Sequence, residues 1–123
     1  MKKTFLFILL CSAMTVSAQQ WITHFAYNNV TQIAMTDDLV YAISDGSLFS
    51  VNKQTEQIKT YNRESGLHSS GINCIHYDRV SDQLFIAYKT GKIDLLSKHG
   101  VKYIGELYDK DMTQEKTIYN VTI

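Results

Sequence analysis

Short apolar runs separated by turn residues recur along the chain, and their period is two rather than 3.6. In the first half this alternation predicts strands near Thr31–Met35, Leu39–Ser44, Ser47–Asn52 and Gln57–Tyr61. Asp45-Gly46 between the middle pair is a strong two-residue hairpin turn, and Thr90-Gly91 occupies the matching place in the second half. The central strands are apolar on both faces. Val40 and Ala42 alternate with Tyr41 and Ile43, and Leu84, Ile86 and Tyr88 alternate with Phe85 and Ala87. A sheet with one face in water would not show that pattern. Gln57-Ile58-Lys59-Thr60-Tyr61 does alternate with polar residues, as an outer strand should.

The same pattern repeats. Val30-Thr-Gln-Ile33 returns 42 residues later as Ile72-Asn-Cys-Ile75 and 46 residues after that as Ile118-Tyr-Asn-Val121. Leu39, Ala42, Gly46, Leu48 and Val51 return 45 residues on as Leu84, Ala87, Gly91, Ile93 and Leu96. That length matches a four-stranded propeller blade. The predicted fold is therefore all-β, with one blade over 30–71, a second over 72–117 and the first strand of a third over 118–123. Residues 19–29 precede them, and Trp21-Ile22-Thr23-His24-Phe25 resembles the outer strand at Gln57–Tyr61. A propeller ring takes at least four blades, so the chain reads as the front of a longer one. On that reading the outward faces of Val40–Ile43 or Leu84–Tyr88 are expected to meet solvent and drive association.

The first eighteen residues stand apart from the repeat. Lys2 and Lys3, the apolar run Phe5–Ala13, and Val16-Ser17-Ala18 form the three parts of a signal peptide, with a run too short to span a bilayer. Cys11 follows Leu10, where a lipidation site would have a small residue. Export is expected to release a chain beginning at Gln19, which the mass of the exported product tests; an intact Met1 or a lipid on Cys11 would refute it. Removal of Met1–Ala18 leaves 105 residues with 10 basic and 12 acidic side chains, a formal charge of −2. Nucleic acid and anionic membrane surfaces find little to attract them in such a chain. Cys74 is then the one remaining cysteine, so no internal disulfide forms and packing alone must hold the domain.

Several stretches carry a resemblance: Trp21, AYNN at 26–29, VYAISDGSLFSVN at 40–52, SGLHSSGI at 65–72 and IAYKTGKIDLL at 86–96. Together they resemble the N-terminal propeller of the PorZ family, secreted proteins of the type IX secretion system, related in turn to the propellers of two-component regulators. The resemblance implies a noncatalytic binding scaffold at the periplasm or cell surface. Its implied partners are other proteins of the attachment complex and lipopolysaccharide. Two other classes stay open: the periplasmic sensor propeller of a hybrid two-component regulator, and a fragment of a propeller enzyme.

Within the shared motifs, Gly46 and Gly91 are expected to supply positive φ in tight turns and Gly66 to do so in the crossing between blades. Leu67 is expected to plug the gap between two sheets. Asp94 is an acid in an apolar strand, and because a buried carboxylate needs partners it reads as an acceptor for nearby backbone, with a ligand contact as the other reading. Other candidates are thinner. Cys74 and His76 share a strand face, with His68 near in sequence, but zinc takes four ligands at recognisable spacing. Asp109-Lys-Asp111-Met-Thr113 has the oxygens of a calcium loop without its glycine. No phosphate-binding glycine loop, nucleophile elbow or HExxH motif occurs. Five of the eight tyrosines, Tyr41, Tyr61, Tyr77, Tyr88 and Tyr103, fall on predicted strands and read as packing rather than as a carbohydrate surface. No catalytic, metal or cofactor residue is assigned.

Overall fold

A computed structural model describes residues 27–111 and 115–122. Residues 1–18, expected above to be a signal peptide, and Trp21–Phe25 lie outside the described residues. Two four-stranded antiparallel sheets follow one another in chain order. The first comprises β1 (Val30–Met35), β2 (Leu39–Ser44), β3 (Ser47–Asn52) and β4 (Ile58–Tyr61). The second comprises β5 (Ile72–Asp78), β6 (Gln83–Tyr88), β7 (Ile93–Ser97) and β8 (Gly100–Ile104), followed by one helical turn, α1 (Glu106–Asp109).

Turn chemistry sets the registers. Asp45 and Gly46 both have positive φ, 49° and 73°, which is the type I′ geometry that matches strand twist in a two-residue hairpin. The β6–β7 connection is one residue longer: Ser44 pairs with Ser47, whereas the Tyr88 amide donates to the Lys92 carbonyl at 3.0 Å. This extra residue corrects the repeat. Ile43 pairs with Leu48 and Ala87 with Ile93, so β3 and β7 correspond at 45 residues but β2 and β6 at 44. Ala42 thus corresponds to Ile86, not to Ala87. Both sheets carry a register shift in the inner strand, between Val30 and Gln32 and between Ile72 and Cys74, a repeated bulge that sharpens the local twist.

The sheets stack face to face. Tyr41, Ile43, Leu48 and Tyr61 from the first meet Ile75, Leu84, Ile86 and Tyr88 from the second, with Leu67 and Ile72 in the same buried cluster. Strand alternation puts Tyr41 and Ile43 on the face toward the second sheet, and Leu84, Ile86 and Tyr88 on the face toward the first. Equivalent strands therefore use opposite faces at one seam, which is why both faces must be apolar. Backbone bonds also cross the seam: the Ile72 amide donates to the Gly46 carbonyl at 3.0 Å and the Lys89 amide to the Gly71 carbonyl at 3.1 Å. The Gln32 side-chain oxygen accepts from the Ile75 amide at 2.9 Å.

The outward faces are better covered than the pattern alone implies. Ala42, Phe49 and Ala87 are buried. The Tyr27 ring packs edge-on against Phe49 at 4.8 Å, and residues 115–122 run along the second sheet, where the Ile118 carbonyl accepts from the Asn73 side-chain amide at 2.6 Å. That segment joins no strand ladder among the described residues. Exposure instead concentrates on the inner strand β1, whose Val30, Ile33 and Met35 lie largely in solvent.

Candidate functional site

Two polar sites lie at the seam, near opposite ends of the strands. The first is built on Asp94, fully buried on β7, where alternation places it on the core face between Ile86 and Tyr103 in the flanking strands. Its carboxylate is completely engaged. One oxygen accepts from the His68 backbone amide at 2.8 Å and from the Tyr88 hydroxyl at 2.6 Å, and the other meets His68 Nδ1 at 2.9 Å. The His68 ring also packs against Tyr103, with centroids 5.2 Å apart. Asp94 thus fastens the crossing segment 62–71 onto the second sheet.

That crossing is locally determined as well. The Asn62 carbonyl accepts from the amides of Ser65 and Leu67, and Gly66 takes φ 106° in the turn between them. The turn delivers Leu67 into the core cluster and His68 onto Asp94. Gly91 has φ 85°. The sequence exposes Asp94 as an anomaly but not its partners, because His68 is 26 residues away and reaches it only once the sheets have stacked. Tyr88 was within reach of strand alternation across the β6–β7 hairpin.

Burial pushes the Tyr88 phenol well above the ordinary tyrosine range, the bond to the Asp94 carboxylate and its negative charge raise it further, and the Ser69 backbone bond acts weakly the other way. A phenol raised by folding contributes stability that is complete below its unfolded value near 10 and is lost as pH climbs beyond that value. The urea midpoint of the protein should therefore fall steeply above about pH 10. Tyr88→Phe should flatten that slope, and an unchanged slope would refute the coupling. Cys74 is buried, its thiol is raised by desolvation, and its sulfur faces the Ile118 carbonyl at 3.6 Å. Among the described residues no group of three metal-ligating side chains forms around it, His76 or His68. Asp109 ends α1, and part of the calcium-like stretch lies outside the described residues.

The second site is a cleft of about 370 Å³ between the sheets, at the end where β1 leads into β2 and β5 into β6. Tyr41, Tyr61, Tyr77, Leu84 and Leu96 line it, together with Asp38 and Lys59 from the first sheet and Asp82 and Lys98 from the second. The tyrosines are held in place. The Tyr41 and Tyr61 rings lie 5.9 Å apart, the Tyr61 hydroxyl bonds Ser50 Oγ at 3.2 Å, and Lys59 Nζ stands 5.2 Å from the Tyr61 ring centre. The Tyr77 hydroxyl donates to Asp82 Oδ1 at 2.7 Å, and Asp82 has φ 53°, a left-handed conformation that aspartate tolerates better than most residues. No motif in the sequence announces this cleft, because its lining comes from three connections, β1–β2, β5–β6 and β7–β8, and from strands of both sheets that are far apart in the chain.

The paired, bulged meanders, joined by a short crossing and stacked at a common seam, define two blades of a β-propeller. The sequence profile described as "TSS9, PorZ, N-terminal beta-propeller domain" matches residues 40–123. A solved structure of PorZ from Porphyromonas gingivalis, described as an essential bacterial surface component of the type-IX secretion system, superposes with a TM-score of 0.75 at 30% identity. The alignment covers 84% of this chain and 14% of that one. No curated protein matches the sequence. The chain belongs to the PorZ N-terminal β-propeller family.

Proposed function

We propose that the chain is a noncatalytic binding module of a type IX secretion attachment complex, exported to the cell surface, with other proteins of that complex and lipopolysaccharide as its partners. The family match over residues 40–123 carries this reading. Its noncatalytic part is supported by the Asp94 cluster. A carboxylate, an imidazole and a phenol together resemble acid–base machinery, yet both Asp94 oxygens are occupied in holding the crossing segment.

The test is made in the cell. A strain lacking the protein should release type IX cargo into the medium instead of retaining it on the surface. The tagged full-length protein should co-purify with outer-membrane components of the secretion system. Normal cargo retention in the deletion strain, or co-purification with a histidine kinase, would overturn the reading.

A further inference from the structure

The second sheet fills one face of the first. The register puts Val40, Ala42, Phe49, Val51 and Ile58 on the other face, where Ile58 is 52% exposed. The repeat shows what kind of face this is. Val40, Ala42, Phe49 and Val51 correspond to Leu84, Ile86, Asp94 and Leu96 of the second sheet, which lie on the side packed against the first. The same positions of the first sheet therefore form a second seam face, apolar and open at its outer strand.

Tyr27 points to its occupant. At the described seam the chain leaves β4 at Tyr61 and crosses to bring His68 onto Asp94. Tyr27 packs on Phe49, the counterpart of Asp94, at 4.8 Å. It thus takes the place of His68, and the residues just before it take the place of β4 in the repeat. Those residues are Trp21-Ile22-Thr23-His24-Phe25, whose pattern resembles Gln57–Tyr61. The Leu67 amide bonds back to the Asn62 carbonyl at 3.1 Å, so the crossing closes a loop and its two ends lie close together. Ala26 alone can bridge a gap of that kind between Phe25 and Tyr27. In a strand, Trp21, Thr23 and Phe25 share one side, as Gln57, Lys59 and Tyr61 do. Two large aromatic side chains offer an open apolar sheet face the burial it lacks.

We propose that the outer half of this face, formed by Val40, Phe49, Val51 and Ile58, is the docking site of the chain's own Trp21–Phe25, with Phe25 beside Tyr27 and Trp21 toward Ile58. The contact does not depend on the attachment role.

Trp21 is the sole tryptophan, so its fluorescence reports on this contact alone. In the full chain its emission should be blue-shifted relative to the urea-unfolded chain and shielded from acrylamide. Ile58→Asp should move both readings to the unfolded values, and the milder Ile58→Thr part of the way. Lys59→Asp, one residue on and facing the other way, should change neither. Far-UV circular dichroism of each variant should match the parent, which separates undocking from unfolding. Three results would each overturn the proposal: solvent-like Trp21 emission in the folded parent, shielding that survives both Ile58 variants, or shielding that develops only as concentration rises and so comes from a second copy.

Discussion

Asp94→Ala is expected to destabilise the protein by about 3 kcal/mol, because it strands several donors at once. The His68 amide, the His68 ring nitrogen and the Tyr88 hydroxyl all converge on this one carboxylate. A buried hydroxyl or amide left without a partner loses its desolvation energy with nothing in return, roughly 1–3 kcal/mol for each group. His68 lies at the surface and recovers part of its loss by turning to water; Tyr88 is fully buried and cannot. Asp94→Asn keeps one accepting oxygen and should cost about half as much. Denaturant unfolding of both variants, with amide exchange across residues 62–71, provides the measurement. An alanine variant as stable as the parent would mean that the crossing segment is held by Leu67 and its backbone turn alone.

A second large effect is expected at Gly91. Two constraints meet there: φ is 85°, and a Cβ atom would lie 2.7 Å from both the Cβ and the carbonyl oxygen of Lys116. Positive φ alone penalises any branched side chain, and the contact with the 115–122 segment adds overpacking, so Gly91→Val should cost about 3 kcal/mol. Gly46 makes the comparison sharp. It also has positive φ, but its nearest atom to an added Cβ is Gly71 Cα at 3.4 Å, an ordinary contact. Gly91→Ala should therefore destabilise more than Gly46→Ala and speed amide exchange in residues 115–122. Thr90→Val, one position earlier on the exposed turn, should change stability by less than about 0.5 kcal/mol. Equal midpoints for Gly91→Val and Thr90→Val would remove Gly91 from the seam.

Legibility followed the range of the interaction. The strand bounds of the first sheet were readable to within a residue, because alternation and the Asp45-Gly46 turn are local signals and the structure places β2 and β3 at Leu39–Ser44 and Ser47–Asn52. Repeat spacing revealed the blades but set β6 one residue out, since the longer β6–β7 turn contains no residue whose type announces its length. Asp94 was visible as an acid among apolar neighbours. The acidic and basic rim of the cleft was not, because Asp38, Lys59, Asp82 and Lys98 are ordinary surface residues wherever the chain is read in isolation.

The sequence by itself determined the all-β class, the meander order and the apolar character of both faces of the central strands. Each follows from side-chain alternation or turn stereochemistry, which act over a few residues and need no partner. Tertiary structure alone decided how the faces were used. Stacking brought Tyr41 and Ile43 against Leu84 and Ile86, covered Phe49 with Tyr27, left Ile33 and Met35 on β1 in solvent, and closed His68 over Asp94. The physical reason is that burial and charge pairing depend on which surfaces meet across the seam, and residues 26 or more apart meet there only after both sheets exist.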